Sequence, residues 1–327
     1  MNNHPMSLDQ VLMVISLSSY VVGALLLLLY FFSRDEWQRN LAIPVVIAGC
    51  LCQFAQLAAR YELTGVWPLL NLYGSLSLFS AMSVAIFIVF AFRYRLWFAG
   101  GFVIAIAAMF LAYALTWNEG TLPAVPSLQS YWAKIHVPLV VSSYSAFLVA
   151  FVMSVLYLVK FYFERGIGVS ESALQPAAAS AGANGDALSS VDYAGTNVTV
   201  RRDTPNIASA AAAGNNVALW LNTLPSLAQL DVLVYRIVAV GLPLLTLGII
   251  TGAWWAKEAW GSYWSFDPKE TAALTSWIVY AIYMHLHTRN DWRGVRSAWV
   301  SVLGFATIIF CYLGVNIWIS GLHSYKM

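Results

Sequence analysis

Apolar residues fall into eight long runs separated by polar connections, at about residues 9–32, 41–59, 69–92, 97–115, 134–159, 230–254, 269–288 and 297–319. A run of roughly 18 apolar residues is long enough for a membrane-spanning helix. Within lipid the backbone must satisfy its own hydrogen bonds, which leaves the helix as the natural element for such runs. The pattern predicts an all-α, polytopic membrane helix bundle of about eight transmembrane helices. The first run could be read as a secretory leader. MNNHPMSLDQ lacks a basic region, however, and the run is too long, so a retained helix is expected.

The pattern breaks once. Residues 166–229 contain ALQPAAASAGANGDALSS and IASAAAAGNNVA, rich in Ala, Ser, Gly and Asn. Such a composition cannot bury a core, so a disordered cytoplasmic loop is expected. The chain then divides into helices 1–5 over residues 1–165, the loop, and helices 6–8 over residues 230–327.

Composition agrees: 60% of the 327 residues are hydrophobic, 10% are charged and mean hydropathy is +0.69. A soluble domain carries about 25% charged residues. Basic residues then set the orientation, because they collect in cytoplasmic loops. With the N-terminus outside, twelve face the cytoplasm (Arg34, Arg39, Arg93, Arg95, Lys160, Arg165, Arg201, Arg202, Arg236, Arg289, Arg293 and Arg296). Five face outward (Arg60, Lys134, Lys257, Lys269 and Lys326), completing the 17 basic residues. Both termini are therefore expected outside. The net charge of +2 says nothing more about partners; the chain shows no basic stripe suggesting nucleic acid, and its apolar runs make the lipid bilayer a partner. Cys50, Cys52 and Cys311 all fall inside predicted spans, with no paired motif, and are expected to serve packing.

Candidate chemistry begins at residues 259–270, AWGSYWSFDPKE, which this topology puts on the outer face. Asp267, Pro268 and Glu270 match a helix start: a side-chain cap, Pro in the first turn and a capping box. That structural reading of Asp267 and Glu270 competes with a functional one. Trp254, Trp255, Trp260, Tyr263, Trp264 and Phe266 stand close together beside Gly261, whose lack of a side chain allows close approach. An interfacial aromatic belt explains one or two such rings. If the stretch is helical, Trp260 and Trp264 share a face, and so much flat surface suits a large planar ligand.

Five histidines sharpen the choice: His4, His136, His285, His287 and His323. His136 opens the fifth span and His323 follows the last one, so both lie at the face that carries the tryptophans. Neutral imidazole is a standard axial ligand of haem iron. Two imidazoles beside a ring-binding platform favour ligation over separate structural roles.

The stretch GAWWAKEAWGSYWSFDPKET closely resembles the tryptophan-rich "WWD" signature of CcsA/ResC-type cytochrome c assembly proteins. SWIVYAIYMHLHTR, GFATIIFCYLGVNIWISGLHSYK and WPLLNLYGSLSLFS extend the resemblance over roughly 60–165 and 230–327. It implies the haem-handling subunit of a cytochrome c synthase, multi-pass in the plasma membrane of a bacterium and working at the extracytoplasmic face. It implies haem b as cofactor, held by the loop (Trp255, Trp260, Gly261, Trp264, Phe266, Asp267) with His136 and His323 on the iron. It implies two protein partners: a CcsB/ResB-type membrane subunit, and apocytochrome c with its Cys-x-x-Cys-His segment. The family usually has Trp where this chain has Phe266, and Glu where it has Gly74. Phe keeps the ring face and loses the indole N–H.

His285 and His287 end the seventh run. Sixteen residues from Lys269 descend about 24 Å, most of a ~30 Å core. Counting from Trp277, His285 falls where the family has its membrane histidine; counting back from Thr288 and Arg289 favours His287. Helix phase favours His285 as a third iron ligand, completed by the partner subunit, with His287 snorkelling to water. The competing reading is a haem or small-molecule permease without attachment activity. A b-type electron carrier would need histidine pairs facing one another within the bundle, which this chain lacks.

Overall fold

The computed structural model describes residues 7–69, 71–117, 130–166, 189–193, 196–200, 220 and 223–319. Helices dominate it: α1 Leu8–Ser33, α2 Glu36–Thr64, α3 Leu72–Tyr94, α4 Gly100–Leu115, α5 Tyr131–Gly166, α6 Leu227–Trp260, α7 Pro268–His287 and α8 Val295–Ile309. A 3₁₀ turn, Leu96–Ala99, leads into α4. A π-helical turn, Phe310–Gly314, carries α8 on to a last turn, Val315–Trp318. The protein is an all-α polytopic membrane helix bundle. Seven stretches among the described residues are long and apolar enough to cross a membrane: α1, α2, α3, Leu96–Leu115, α5, α6 and Val295–Gly314.

The eighth expected span, α7, is as long but less apolar, since it carries Thr271, Thr275, Ser276, His285 and His287. Twenty residues rise about 30 Å, the thickness of a bilayer core. Its partners place it at full depth. Trp277 Nε1 donates to Thr246 Oγ1 on α6 at 2.8 Å, and His287 meets Asp231 of α6 at 2.9 Å. Helix α7 therefore runs antiparallel to α6 across the thickness that α6 spans.

Local sequence explains where the helices start and stop. Ser7 and Ser226 cap α1 and α6, each in a box with the Gln three positions on. The centre is built from α3 and α5, whose serines keep the helices close and find partners within the bundle. Ser83 Oγ donates to Ser145 Oγ at 3.2 Å, and Ser80 Oγ to Ala107 O at 2.8 Å. Small residues and internal hydrogen bonds hold helices together where lipid removes the hydrophobic drive. Buried charges are paired as well, with Arg60 at 3.2 Å from Asp9 and Lys160 at 3.4 Å from Glu164.

Within 166–229, where a structureless loop is expected, a strand pair, Trp220 and residues 223–229, where α6 begins, are described. Ser189–Tyr193 pairs antiparallel with Thr196–Val200, Ser189 opposite Val200. Trp220 packs on the end of α1, its Nε1 donating to Phe31 O at 3.0 Å. All three cysteines are free, as expected, with Cys50 and Cys311 buried.

Candidate functional site

At the end of the bundle where α5 begins and α6 finishes, the helices leave a cavity that opens to the outside, about 810 Å³ with the open space at its mouth included. Helix α5 contributes His136, Val137, Val140, Val141 and Tyr144, and α6 contributes Ile249, Gly252 and Ala253. Tyr263 and Trp264 come from the connecting loop; Lys269, Glu270 and Ala273 come from α7. Ser75 of α3 and Tyr312 of the π turn complete the lining, joined by a Tyr312 Oη to Ser75 Oγ bond of 3.2 Å. Tyr144 Oη lies 3.4 Å from Cys311 Sγ beside them.

His136 is held by the backbone of α6. Its Nδ1 is 2.7 Å from Gly248 O. A carbonyl can only accept, so Nδ1 carries the proton and the lone pair sits on Nε2. Metal-binding histidines are commonly oriented this way, by a carbonyl on the other ring nitrogen. Gly252 makes the approach possible: a Cβ there would stand 2.7 Å from His136 Cε1 and 2.8 Å from Nδ1. Trp255, 5% exposed, packs behind the imidazole with ring centroids 5.7 Å apart.

The aromatic loop differs from its sequence reading in three respects. Helix α6 stops at Trp260, and Gly261 caps it at φ 79°. Trp260 and Trp264 therefore share no helical face. Trp260 packs on Trp255 at 5.1 Å, while Trp264 turns into the cavity. Gly261 is required for its left-handed backbone rather than for close approach, since a Cβ there would meet nothing within 4 Å. Phe266 also departs from expectation. It has φ 57° and is 80% exposed, standing edge-on to Trp264 at 6.2 Å instead of lining the cavity. Positive φ is strained for a bulky residue.

Asp267 is the α7 cap: buried, it accepts from Lys269 N at 3.0 Å. Glu270 closes the box, accepting from Ser265 N at 2.9 Å and Asp267 N at 3.3 Å. The structural reading of this pair is realised, and Glu270 lines the cavity as well. Gly74 also gains a reason. It follows the Asn71 cap of α3, and a Cβ there would fall 1.5 Å from Pro68 O. No side chain fits unless that segment moves.

The two histidines at the far end of α7 face opposite ways. His287, expected to reach water, is 5% exposed and bonded to Asp231 Oδ2. It is stacked on Tyr235 at 4.6 Å. The other Asp231 oxygen accepts from Gly294 N and Ser297 Oγ, both at 3.0 Å. A histidine on a buried carboxylate costs less than one left unpaired at that depth, which is why it turns inward. His285 is exposed on the bundle surface, well away from His136. His323 lies outside the described residues.

Several lining residues escaped sequence reasoning. Tyr144, Tyr312 and Ser75 are ordinary polar residues in apolar runs and carried no signal. Gly248 and Gly252 did carry one: their four-residue spacing is the small-residue pattern of close helix contacts.

Together the bundle and its end cavity define a class: polytopic membrane proteins that present a histidine and a tryptophan-bearing loop in one pocket. The cytochrome C assembly protein family profile matches residues 69–323, and the chain belongs to that family, with the character of a CcsA-type cytochrome c biogenesis protein. It is 34% identical to the cytochrome c biogenesis protein CcsA of Crocosphaera subtropica over 94% of this chain and 95% of the relative. The CcsA of Gloeobacter violaceus is 34% identical, covering 93% and 92%. That of Chlamydomonas reinhardtii is 32% identical, covering 88% of this chain and 69% of the relative. A solved structure named cytochrome c heme lyase CcmF shares the fold, with a TM-score of 0.59 at 16% identity. The match covers 95% of this chain and 48% of that one.

Proposed function

We propose that the cavity holds haem b with His136 Nε2 on the iron, and presents it for attachment to apocytochrome c. The observation that carries this is the His136 geometry: an imidazole at a cavity wall, its tautomer set by Gly248 O and its position allowed by Gly252. The donor set suits the group. A neutral imidazole is a haem ligand, and the mostly apolar wall with the Trp264 ring suits a flat macrocycle. His323, by motif position, would be the second residue to hold the iron. His285, exposed at the opposite end, is assigned to a membrane site completed by a CcsB/ResB-type subunit. The bundle is placed in a bacterial plasma membrane, with the cavity on the extracytoplasmic side.

When bound, haem supplies vinyl groups to which the two cysteine thiols of a Cys-x-x-Cys-His segment add. The protein's own residues bind and orient. His136 would hold the iron, and Trp264 and Tyr263, which line the same cavity, would pack on the macrocycle and limit water. The α7 cap (Asp267 and Glu270) keeps the loop in one conformation. Proximity and orientation supply most of the rate in such a scheme.

The test is His136→Gly in the full-length protein, with and without millimolar imidazole. Loss of the bis-imidazole absorption spectrum and of cytochrome c maturation is expected, with partial return of both on adding imidazole. An unchanged spectrum would remove His136 as a ligand.

A further inference from the structure

We infer that Lys269 is the residue by which the cavity selects a porphyrin bearing free carboxylates; the inference rests on the haem reading above. Among the described residues lining the cavity, Lys269 is the one lysine or arginine. Its head is positioned on a different wall from His136. Lys269 Nζ lies 2.9 Å from Asn316 Oδ1 in the last helical turn. Asn316 is itself fixed, its Nδ2 donating to Tyr312 O. Tyr312 in turn reaches Ser75 across the cavity floor.

The ammonium and the Asn316 amide thus meet on the α8 side, while the iron ligand sits on the α5–α6 side. Of the acidic side chains beside it in sequence, Asp267 accepts from Lys269 N, and Glu270 accepts from Ser265 N and Asp267 N. Lys269 also lies in the first turn of α7, where the helix dipole favours negative charge. Haem is an apolar disc with two propionate carboxylates on one edge. A ligand fastened to His136 by its iron has to direct that edge to one wall. The α8 wall supplies a cation there, and a charge-assisted bond away from bulk water is among the stronger polar contacts. The role is specificity and orientation: a propionate fixed on Lys269 sets which edge of the ring carries the vinyl groups toward an incoming peptide.

The test titrates full-length protein in lipid nanodiscs with haem and with haem dimethyl ester, following the Soret band and tryptophan fluorescence. The wild type should prefer haem by about tenfold or more. K269M should lose that preference by weakening haem alone, with ester affinity and Soret position unchanged. K269R should keep the preference. N316A, which removes the partner and leaves the ammonium, should keep it too. A K269M protein that still prefers haem overturns the inference, as does one that loses both ligands equally, since Lys269 would then be structural. A wild type that binds neither porphyrin overturns the haem reading itself.

Discussion

His136 and His287 are each tied by one ring nitrogen to an oxygen of α6, at opposite ends of that helix, and the two ends serve different purposes. His136 meets a neutral carbonyl at 2.7 Å and stands half-buried on the wall of an open cavity. His287 meets a carboxylate at 2.9 Å, stacked on Tyr235 and tilted against Tyr283. Asp231 binds three donors, from α7, α8 and the turn before α8. That end is a joint fastening three helices. The His136 end is a seat, made by withholding a side chain at Gly252, where a Cβ would meet the imidazole. A histidine's role here follows from what its other neighbours are and how much room they leave.

The largest effect should come from breaking the joint. Asp231→Ala strands His287, Gly294 N–H and Ser297 inside the bundle. Removing one partner of a buried charged cluster costs about 3–5 kcal/mol. A sharp fall in melting temperature and membrane abundance is expected, with an unchanged haem spectrum in the protein that folds. Normal stability would show that the joint is dispensable.

A smaller effect, at the seat, should come from Gly252→Ala. The added methyl meets the imidazole at 2.7–2.8 Å. Overpacking of this kind costs about 1–3 kcal/mol. Haem affinity should fall with it, because the displaced group is the ligand. Gly248→Ala, which would press on Val140 Cγ2 at 2.6 Å, is the control for packing alone. Equal haem affinity in Gly252→Ala and the wild type would separate ring position from binding.

The smallest effect belongs to Phe266. Releasing its positive φ by Phe266→Gly should stabilise the protein by about 1 kcal/mol, read as a rise in melting temperature. Phe266→Trp should keep haem affinity. Unaltered affinity in the glycine variant as well would place this exposed ring outside the haem contact.

Much of the architecture was legible because membrane helices are encoded locally. Uninterrupted apolar runs, caps such as Ser7, Ser226 and Asp267, and the Gly261 stop each act within one or two turns. The motif also gathered His136 and Trp264, which the fold brings into one cavity. Other features depended on partners distant in sequence. Lys269 became a cavity residue through Asn316, and Gly74 became obligatory through the carbonyl of Pro68 folded over α3. The π turn at Phe310–Gly314 has no local signature, yet it carries Cys311 and Tyr312 to their contacts with Tyr144 and Ser75.

By itself the sequence determined the all-α membrane bundle, the helix ends to within about seven residues, and its kinship with cytochrome c assembly proteins. Hydropathy, capping and short motifs are properties of neighbouring residues. Tertiary structure alone decided which histidine faces a cavity and which is locked on Asp231. It also decided what stands beside each glycine. Those outcomes depend on how helices far apart in the chain approach one another, and no local pattern of residues specifies that distance.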